Sequence, residues 1–280
     1  MSRGLFLLAA LVLAAGCGSS ERAATPIAAP PPPPRQPQPE PAIEAAPSPE
    51  PSPEVTAAPK RIERARRCAG DEAGLGGDRL SYAAVAERET AAYDRPGGEQ
   101  IASFEVENEN GHAMVFGVRR VLLDAACKIE WYRVRLPMRP NGIEGWVRAG
   151  DVRLLRVHTR IHIDLSDREL VLYRGGEPVL RAPVAVGAPG TPTPTGRYYV
   201  NQRIIASDPS GPWGPAALGI SAFSDVLQAW SQGGPIGIHG TNAPSSIGRA
   251  ASHGCIRLEN DVLQRVFETA DAGTPVIIEA

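Results

Sequence analysis

An excess of charge of either sign is missing from this chain. Across 280 residues, 29 Lys and Arg face 31 Asp and Glu, a net charge of −2. Nucleic-acid binders usually carry a basic surface, so that class of partner is not expected. Long apolar runs are scarce too. Leu5–Ala15 is apolar throughout, but as a helix it would reach only about 16 Å, roughly half a bilayer core. A retained transmembrane helix is therefore not expected, and no other stretch reads as membrane-spanning. Cysteine is sparse, with Cys17, Cys68, Cys127 and Cys255 and no C-x-x-C spacing, so a paired redox thiol lacks its resolving partner. Proline is the abundant residue, and half of the 28 lie between Pro26 and Pro59. Hydrophobic and charged contents of 42% and 21% are ordinary for a globular chain. The length allows one large domain or two small ones.

The first residues read as an export signal over 1–16. Arg3 gives a positive start, the apolar run follows, and Ala14-Ala15-Gly16 places small residues before Cys17. Small residues directly before a cysteine resemble the lipobox of bacterial lipoproteins. That resemblance implies cleavage before Cys17, lipidation of its sulfur, and a membrane-anchored protein facing the cell wall from the periplasm or the outer face of the cytoplasmic membrane. The alternative is a secretory signal cut nearby. Residues 17–65 contain PPPPP at Pro30–Pro34 and few large apolar side chains. Such a segment buries too little surface to offset backbone ordering. Extended as polyproline II, some forty residues would reach on the order of 100 Å, a tether from the anchor into the wall. KRIERARR at Lys60–Arg67 closes it as a basic patch, read first as solvated charge.

Export sets the cysteine arithmetic. With Cys17 lipidated, three cysteines remain in an oxidising compartment. The economical solution pairs Cys68 with Cys127 and leaves Cys255 as a free thiol. Three buried reduced cysteines are the alternative.

Residues 66–155 show short strands between turn signals. Ala83–Glu87, Thr90–Tyr93 and Ile101–Val106 precede the polar Asn108–Gly111 turn. Trp131–Leu136 alternates, and Asn141-Gly142 before Glu144–Val147 signals a hairpin. A small antiparallel barrel is expected, with Trp131 and Trp146 in its core. Tyr93-Asp-Arg-Pro-Gly-Gly, Trp131-Tyr-Arg-Val, Gly145-Trp-Val and Asp151-Val-Arg-Leu together resemble bacterial SH3-like domains, which often bind cell-wall material.

From 156 to 280 the chain again reads as mainly β, a sandwich with one or two short helices. Val157 to Leu165 alternates as a half-buried strand. Glu169–Tyr173 and Val179–Val186 form a hairpin across Gly175-Gly176. Gly187–Gly196 (GAPGTPTPTG) is a stiff loop, Arg197–Gln202 a strand, and Asp208–Gly219 a second irregular loop carrying Trp213. Asp261–Ala270 is the expected helix, capped by Asn260 and ended by Gly273. Pro275–Ile278 closes the chain as a strand.

The chemistry concentrates in Ile236–Glu259, IGIHGTNAPSSIGRAASHGCIRLE. A cysteine becomes a nucleophile when a base or a positive environment raises its thiolate fraction. His239 lies 16 residues before Cys255 across a Gly-, Ser- and Pro-rich loop, and His253 two before it. Gly254 lets the backbone turn tightly, so that the amides of Gly254 and Cys255 could receive an oxyanion. Nucleophile, base and oxyanion donors define an acyl-transfer site. Two histidines and a cysteine could also hold zinc with one open position, but no second cysteine or closely spaced acid accompanies them. His158 and His162 lie on a strand-patterned run, about 13 Å apart, too far for one metal.

His239-Gly240 followed by Ser252-His253-Gly254-Cys255-Ile256-Arg257 resembles the signature of the L,D-transpeptidase (YkuD-type) domain. GAPGTPTPTG with Arg197-Tyr-Tyr-Val is similar to the segment preceding it there. The resemblance covers Val157 to Ala280 and implies the partner, peptidoglycan stem peptides. By that resemblance Cys255 attacks the carbonyl of a diamino acid in a stem tetrapeptide, releases D-Ala, and passes the acyl group to a side-chain amine of another stem. His239 would be the base, and the Gly240 carbonyl would hold its tautomer. Ser252, His253 and Gly254 would shape the oxyanion hole. Arg257 would hold a stem carboxylate or, alternatively, pair with Glu259. Acylation by carbapenem-type β-lactams is implied, and no metal or organic cofactor is needed. The protein would act as a monomer. Hydrolysis of the thioester by water or attachment of a protein to the wall would use the same chemistry. A reading of another class is a non-catalytic wall-binding lipoprotein.

Overall fold

Residues 68, 70–229, 232 and 234–280 are described by the computed structural model. The export signal, Cys17, the proline-rich tether and the basic KRIERARR run lie outside the described residues.

Alternating and fully apolar runs of the N-terminal half form one antiparallel sheet. Its strands are β1 (Glu72–Gly74), β2 (Ser81–Ala86), β3 (Thr90–Tyr93), β4 (Gln100–Phe104), β5 (Val115–Leu123), β6 (Ile129–Arg135), β7 (Glu144–Arg148) and β8 (Val152–Val157). They join in the order β4-β3-β7-β6-β5-β2-β8, with β1 on β5. The Asn141-Gly142 signal is answered by the β6–β7 hairpin, where Trp131 faces Arg148 and Arg135 faces Glu144. Trp131 and Trp146 are both buried. The stretch Ala113–Lys128 is long because it holds the nine-residue β5 and a turn, in which the Asp124 carboxylate accepts from the amides of Ala126 and Lys128. Cys68 and Cys127 form a disulfide, and Cys255 takes no part in one.

The C-terminal half adds β9 (Thr159–Asp164), β10 (Glu169–Arg174), β11 (Glu177–Pro183), β12 (Val186–Gly187), β13 (Gly196–Ile205), β14 (Ala216–Phe223), β15 (Pro235–His239), β16 (Ala250–Ser252), β17 (Ile256–Arg257), the helix α1 (Asn260–Thr269) and β18 (Pro275–Glu279). Eight of these strands form a continuous sheet, β11-β10-β9-β18-β13-β14-β15-β17. One apolar cluster draws side chains from every strand of that path and from Leu263 and Val266 of α1. The expected sandwich thus takes the form of a single sheet with a shared core.

Two expectations change. Ala216–Gly219 belongs to β14 and not to the loop that precedes it. This strand is central and buried on both faces, so its sequence lacks the alternation that marks a half-buried strand. The helix begins at Asn260, and its N-cap is Glu259, without a side-chain cap bond. The Asn260 side chain is engaged elsewhere, because its Oδ1 accepts from the amide of Thr241 at 2.8 Å.

The two sheets meet through a small common core. Ala83, Val85, Val115 and Val157 of the first pack with Tyr199 of the second. Gly117 makes room for that ring, since a Cβ there would approach Tyr199 Cδ1 to 2.8 Å.

Candidate active site

The site grows from the edge where β15 and β17 pair in parallel, with Ile238 opposite Ile256 and His239 opposite Arg257. Both isoleucines are fully buried in the C-terminal core, and each contributes on the order of 2 kcal/mol by burial. Successive side chains on a strand point to opposite faces. The core therefore takes Ile238 and Ile256, and the opposite face takes His239 and Arg257. Cys255, two residues before Arg257, follows the same alternation and is half-buried. The Leu258 amide donates to the His239 carbonyl at 2.9 Å and locks the register.

His239 is itself buried, 4% exposed. Its Nδ1 lies 2.6 Å from the Gly240 carbonyl oxygen. A carbonyl can only accept, so Nδ1 carries the proton and Nε2 presents a lone pair. Burial pushes the imidazole down to about 4, the Gly240 hydrogen bond opposes that, and the nearby positive charge of Arg257 adds to it. At neutral pH the ring is an uncharged acceptor. The Trp213 ring covers it, with centroids 4.5 Å apart at 44°. Trp213 reaches this place because Gly214 and Gly240 touch: a Cβ on Gly214 would come within 2.7 Å of the Gly240 Cα.

The turn before Cys255 is tied from two sides. Within it, the Ser252 hydroxyl donates to the Cys255 carbonyl at 2.5 Å and accepts from the Gly254 amide at 3.1 Å. The Gly254 amide is thus engaged by Ser252 in this state. Gly254 has φ of +114°, and a Cβ there would meet Ile236 Cδ1 at 2.9 Å, so only glycine fits without strain. From outside, the loop 187–196 grips the same turn. Thr191 Oγ1 donates to the Ser252 carbonyl, and Thr193 Oγ1 donates to the Gly254 carbonyl while accepting from the Gly187 amide. Ala185 and Arg257 exchange both backbone hydrogen bonds at 2.9 Å. His253 is exposed beside this turn.

Arg257 forms no salt bridge with Glu259 among the described residues, and its Nε is buried without a hydrogen-bond partner. His158 and His162 stand apart from the site, His162 bonding Glu279 at 3.1 Å. No group of three metal-ligating side chains occurs among the described residues. The sequence reading overlooked Trp213, Thr191 and Thr193 as site residues. The last two stood in plain view in GAPGTPTPTG, but nothing in a loop's sequence tells which distant turn its hydroxyls reach.

Residues 158–278 match the family described as L,D-transpeptidase catalytic domain (YkuD). The chain is 42% identical over 119 residues to "Putative L,D-transpeptidase YkuD" of Bacillus licheniformis, and 35% identical over 118 residues to the protein of the same name from Bacillus subtilis. Each match covers 42% of this chain and 64% of the relative, so the chain spans just under two thirds of the length of these relatives. Among solved structures, the catalytic domain from E. faecium L,D-transpeptidase is 26% identical, with 43% of this chain and 96% of that chain covered and a TM-score of 0.32.

Proposed function

We propose that this protein is a peptidoglycan L,D-transpeptidase in which Cys255 is the nucleophile and His239 the base. The observation that carries the reading is the buried imidazole whose Nδ1 is committed to the Gly240 carbonyl, at the sheet edge that presents Cys255. Nε2 accepts the thiol proton as sulfur attacks the carbonyl of the diamino acid in a stem tetrapeptide. The tetrahedral intermediate collapses, the C–N bond breaks, and His239 returns the proton to the departing D-Ala amine. A thioester is left on Cys255. The side-chain amine of a second stem then attacks it, gives its proton to His239, and the thiolate leaves and is reprotonated. His239 at the end of β15, Cys255 just before β17 and the Trp213 ring against the imidazole are set before substrate arrives, which is where catalytic power of this kind originates. Ser252 and Gly254 act as positioning residues that fix the turn bearing Cys255 and the oxyanion donors, with exposed His253 at the mouth. The buried Arg257 Nε, which has no hydrogen-bond partner, supports a role in holding a stem carboxylate.

The remainder of the chain suits that task. The run into Cys17 supports a lipid anchor, and the proline-rich segment a tether from membrane to wall. The turn and tryptophan pattern of residues 66–155 supports an SH3-like accessory domain. Nucleophile and base come from one chain, which supports a monomer.

The test is incubation of the full chain with a purified disaccharide-tetrapeptide, with products read by mass spectrometry. A cross-linked dimer is expected. A tripeptide alone would point to water as acceptor, and transfer to a protein amine would point to wall attachment. A Cys255→Ala variant should give no product and no adduct with a carbapenem-type β-lactam. Wild-type turnover equal to that variant would overturn the enzyme reading and favour a binding role.

A further inference from the structure

A cavity of about 490 Å³ opens where the two sheets meet, and it shares no residue with the Cys255 site. Arg119, Arg135, Arg160 and Arg197 line it, against the single carboxylate of Asp78. That carboxylate is occupied, 2.8 Å from Arg160. Arg119 reaches Glu144 at 3.4 Å, but Glu144 also serves Arg133 at 2.9 Å. Arg135 and Arg197 form no salt bridge and no side-chain hydrogen bond among the described residues. Tyr199 also lines the cavity, and its hydroxyl is buried and has no hydrogen-bond partner.

Nothing in the fold requires this concentration of like charge. A half-buried charge such as Arg135 is ordinarily paired, and one left uncompensated at a lined cavity, with the exposed Arg197 beside it, is a candidate for a ligand. Burial lowers the Arg135 guanidinium to about 10; Arg119 and Arg197 push the same way, and Glu144 opposes them. The volume lies within the range of roughly 300–1,000 Å³ typical of small-molecule sites. Planar guanidinium forks match the paired oxygens of carboxylates and phosphates.

We propose that this inter-sheet cavity binds a ligand carrying at least two oxyanion groups, held chiefly by Arg135 and Arg197. The ligand joins β6 of the first sheet to β13 of the second, so its binding also tightens the two halves against each other. This holds whether or not Cys255 is catalytic.

The experiment is calorimetric titration of the full chain with pyrophosphate and, separately, with tricarballylate, at low and at physiological salt. Saturable one-site binding of at least one probe is expected, weakened by salt and accompanied by a rise in melting temperature. Preference for the first probe assigns a phosphorylated ligand, and preference for the second a polycarboxylate. The Arg135→Gln, Arg197→Gln double variant should bind at least tenfold more weakly. Its melting temperature without ligand should be unchanged or higher, because repulsion is relieved. If the double variant does not fold, the exposed Arg197→Gln alone carries the test, with a severalfold loss expected. Absence of saturable binding by both probes, or binding indifferent to these substitutions, would overturn the proposal.

Discussion

At His239 a single hydrogen bond decides the chemistry that is available. With the Nδ1 proton committed to Gly240, only Nε2 can accept a proton, and the low pKa keeps that lone pair available well into acid. The acid limb of kcat/KM should therefore fall near pH 4–5, below the usual histidine range near 6.5, as read from a pH–rate profile. An acid limb at 6.5 would mean that a different group limits the reaction. The same shift links to stability. The folded state resists protonation of His239 and the unfolded state does not, so stability is fully present above about 6.5 and declines as pH falls toward 4. The loss amounts to roughly 3 kcal/mol over that window. Urea unfolding of wild type and His239→Gln at pH 7 and 4.5 isolates this residue, since other titrations cancel in the difference. Wild type should lose about 2–3 kcal/mol more than the variant.

Gly254 is the other position where one residue governs the site. Its φ of +114° lies where L side chains cost about 1–3 kcal/mol, and a methyl there would also press on the packed Ile236. Gly254→Ala should lower stability by that amount and reduce turnover more than tenfold by displacing Cys255. A variant of wild-type activity would show that the turn tolerates rearrangement.

Among the elements, the loop 187–196 and the Ser252–Cys255 turn act as one unit. Thr193 accepts from Gly187 and donates to Gly254, so Thr193→Val keeps the shape but orphans the half-buried Gly187 amide and the buried Gly254 carbonyl. The expected cost is about 1–3 kcal/mol in urea unfolding, with a tenfold or larger fall in kcat/KM. Thr193→Ser, which keeps both bonds, should restore most of each. If the valine variant matches wild type, the loop does not position the turn.

How much of this could be read beforehand differs between elements for physical reasons. Half-buried β9 carries period-two alternation and is legible, as is the Asn141-Gly142 hairpin. Strand β14 was not, because burial on both faces erases alternation. Cys255 and His239 stood out by residue type and spacing. Trp213 did not, because its contact with His239 depends on the close approach of Gly214 to Gly240, a long-range feature. Asn260 looked like a helix cap on local grounds, and the Thr241 amide claimed its oxygen.

Taken as a whole, the described chain couples its two sheets at more than the shared Tyr199 core. The β6–β7 turn reaches over to the end of β14. There Asn141 accepts from the Phe223 amide at 2.9 Å and donates to the Phe223 carbonyl at 2.7 Å, and Arg139 donates to the Ser224 carbonyl. This asparagine behaves as a strand residue would, satisfying both backbone groups of Phe223 where β14 runs out of partners. The segment it holds leads into β15, and β15 ends at His239. The N-terminal sheet thus steadies the strand that carries His239. Asn141→Ala should remove two to three hydrogen bonds and cost about 1–3 kcal/mol. Hydrogen exchange should quicken at Phe223 and Ser224, while amides of the β2–β5 pairing keep their protection. Turnover should drop severalfold with Cys255 still able to take a β-lactam adduct, because the turn bearing Cys255 is braced by Thr191 and Thr193 instead. Unchanged exchange at Phe223 would show that the hairpin only touches the C-terminal half and does not brace it.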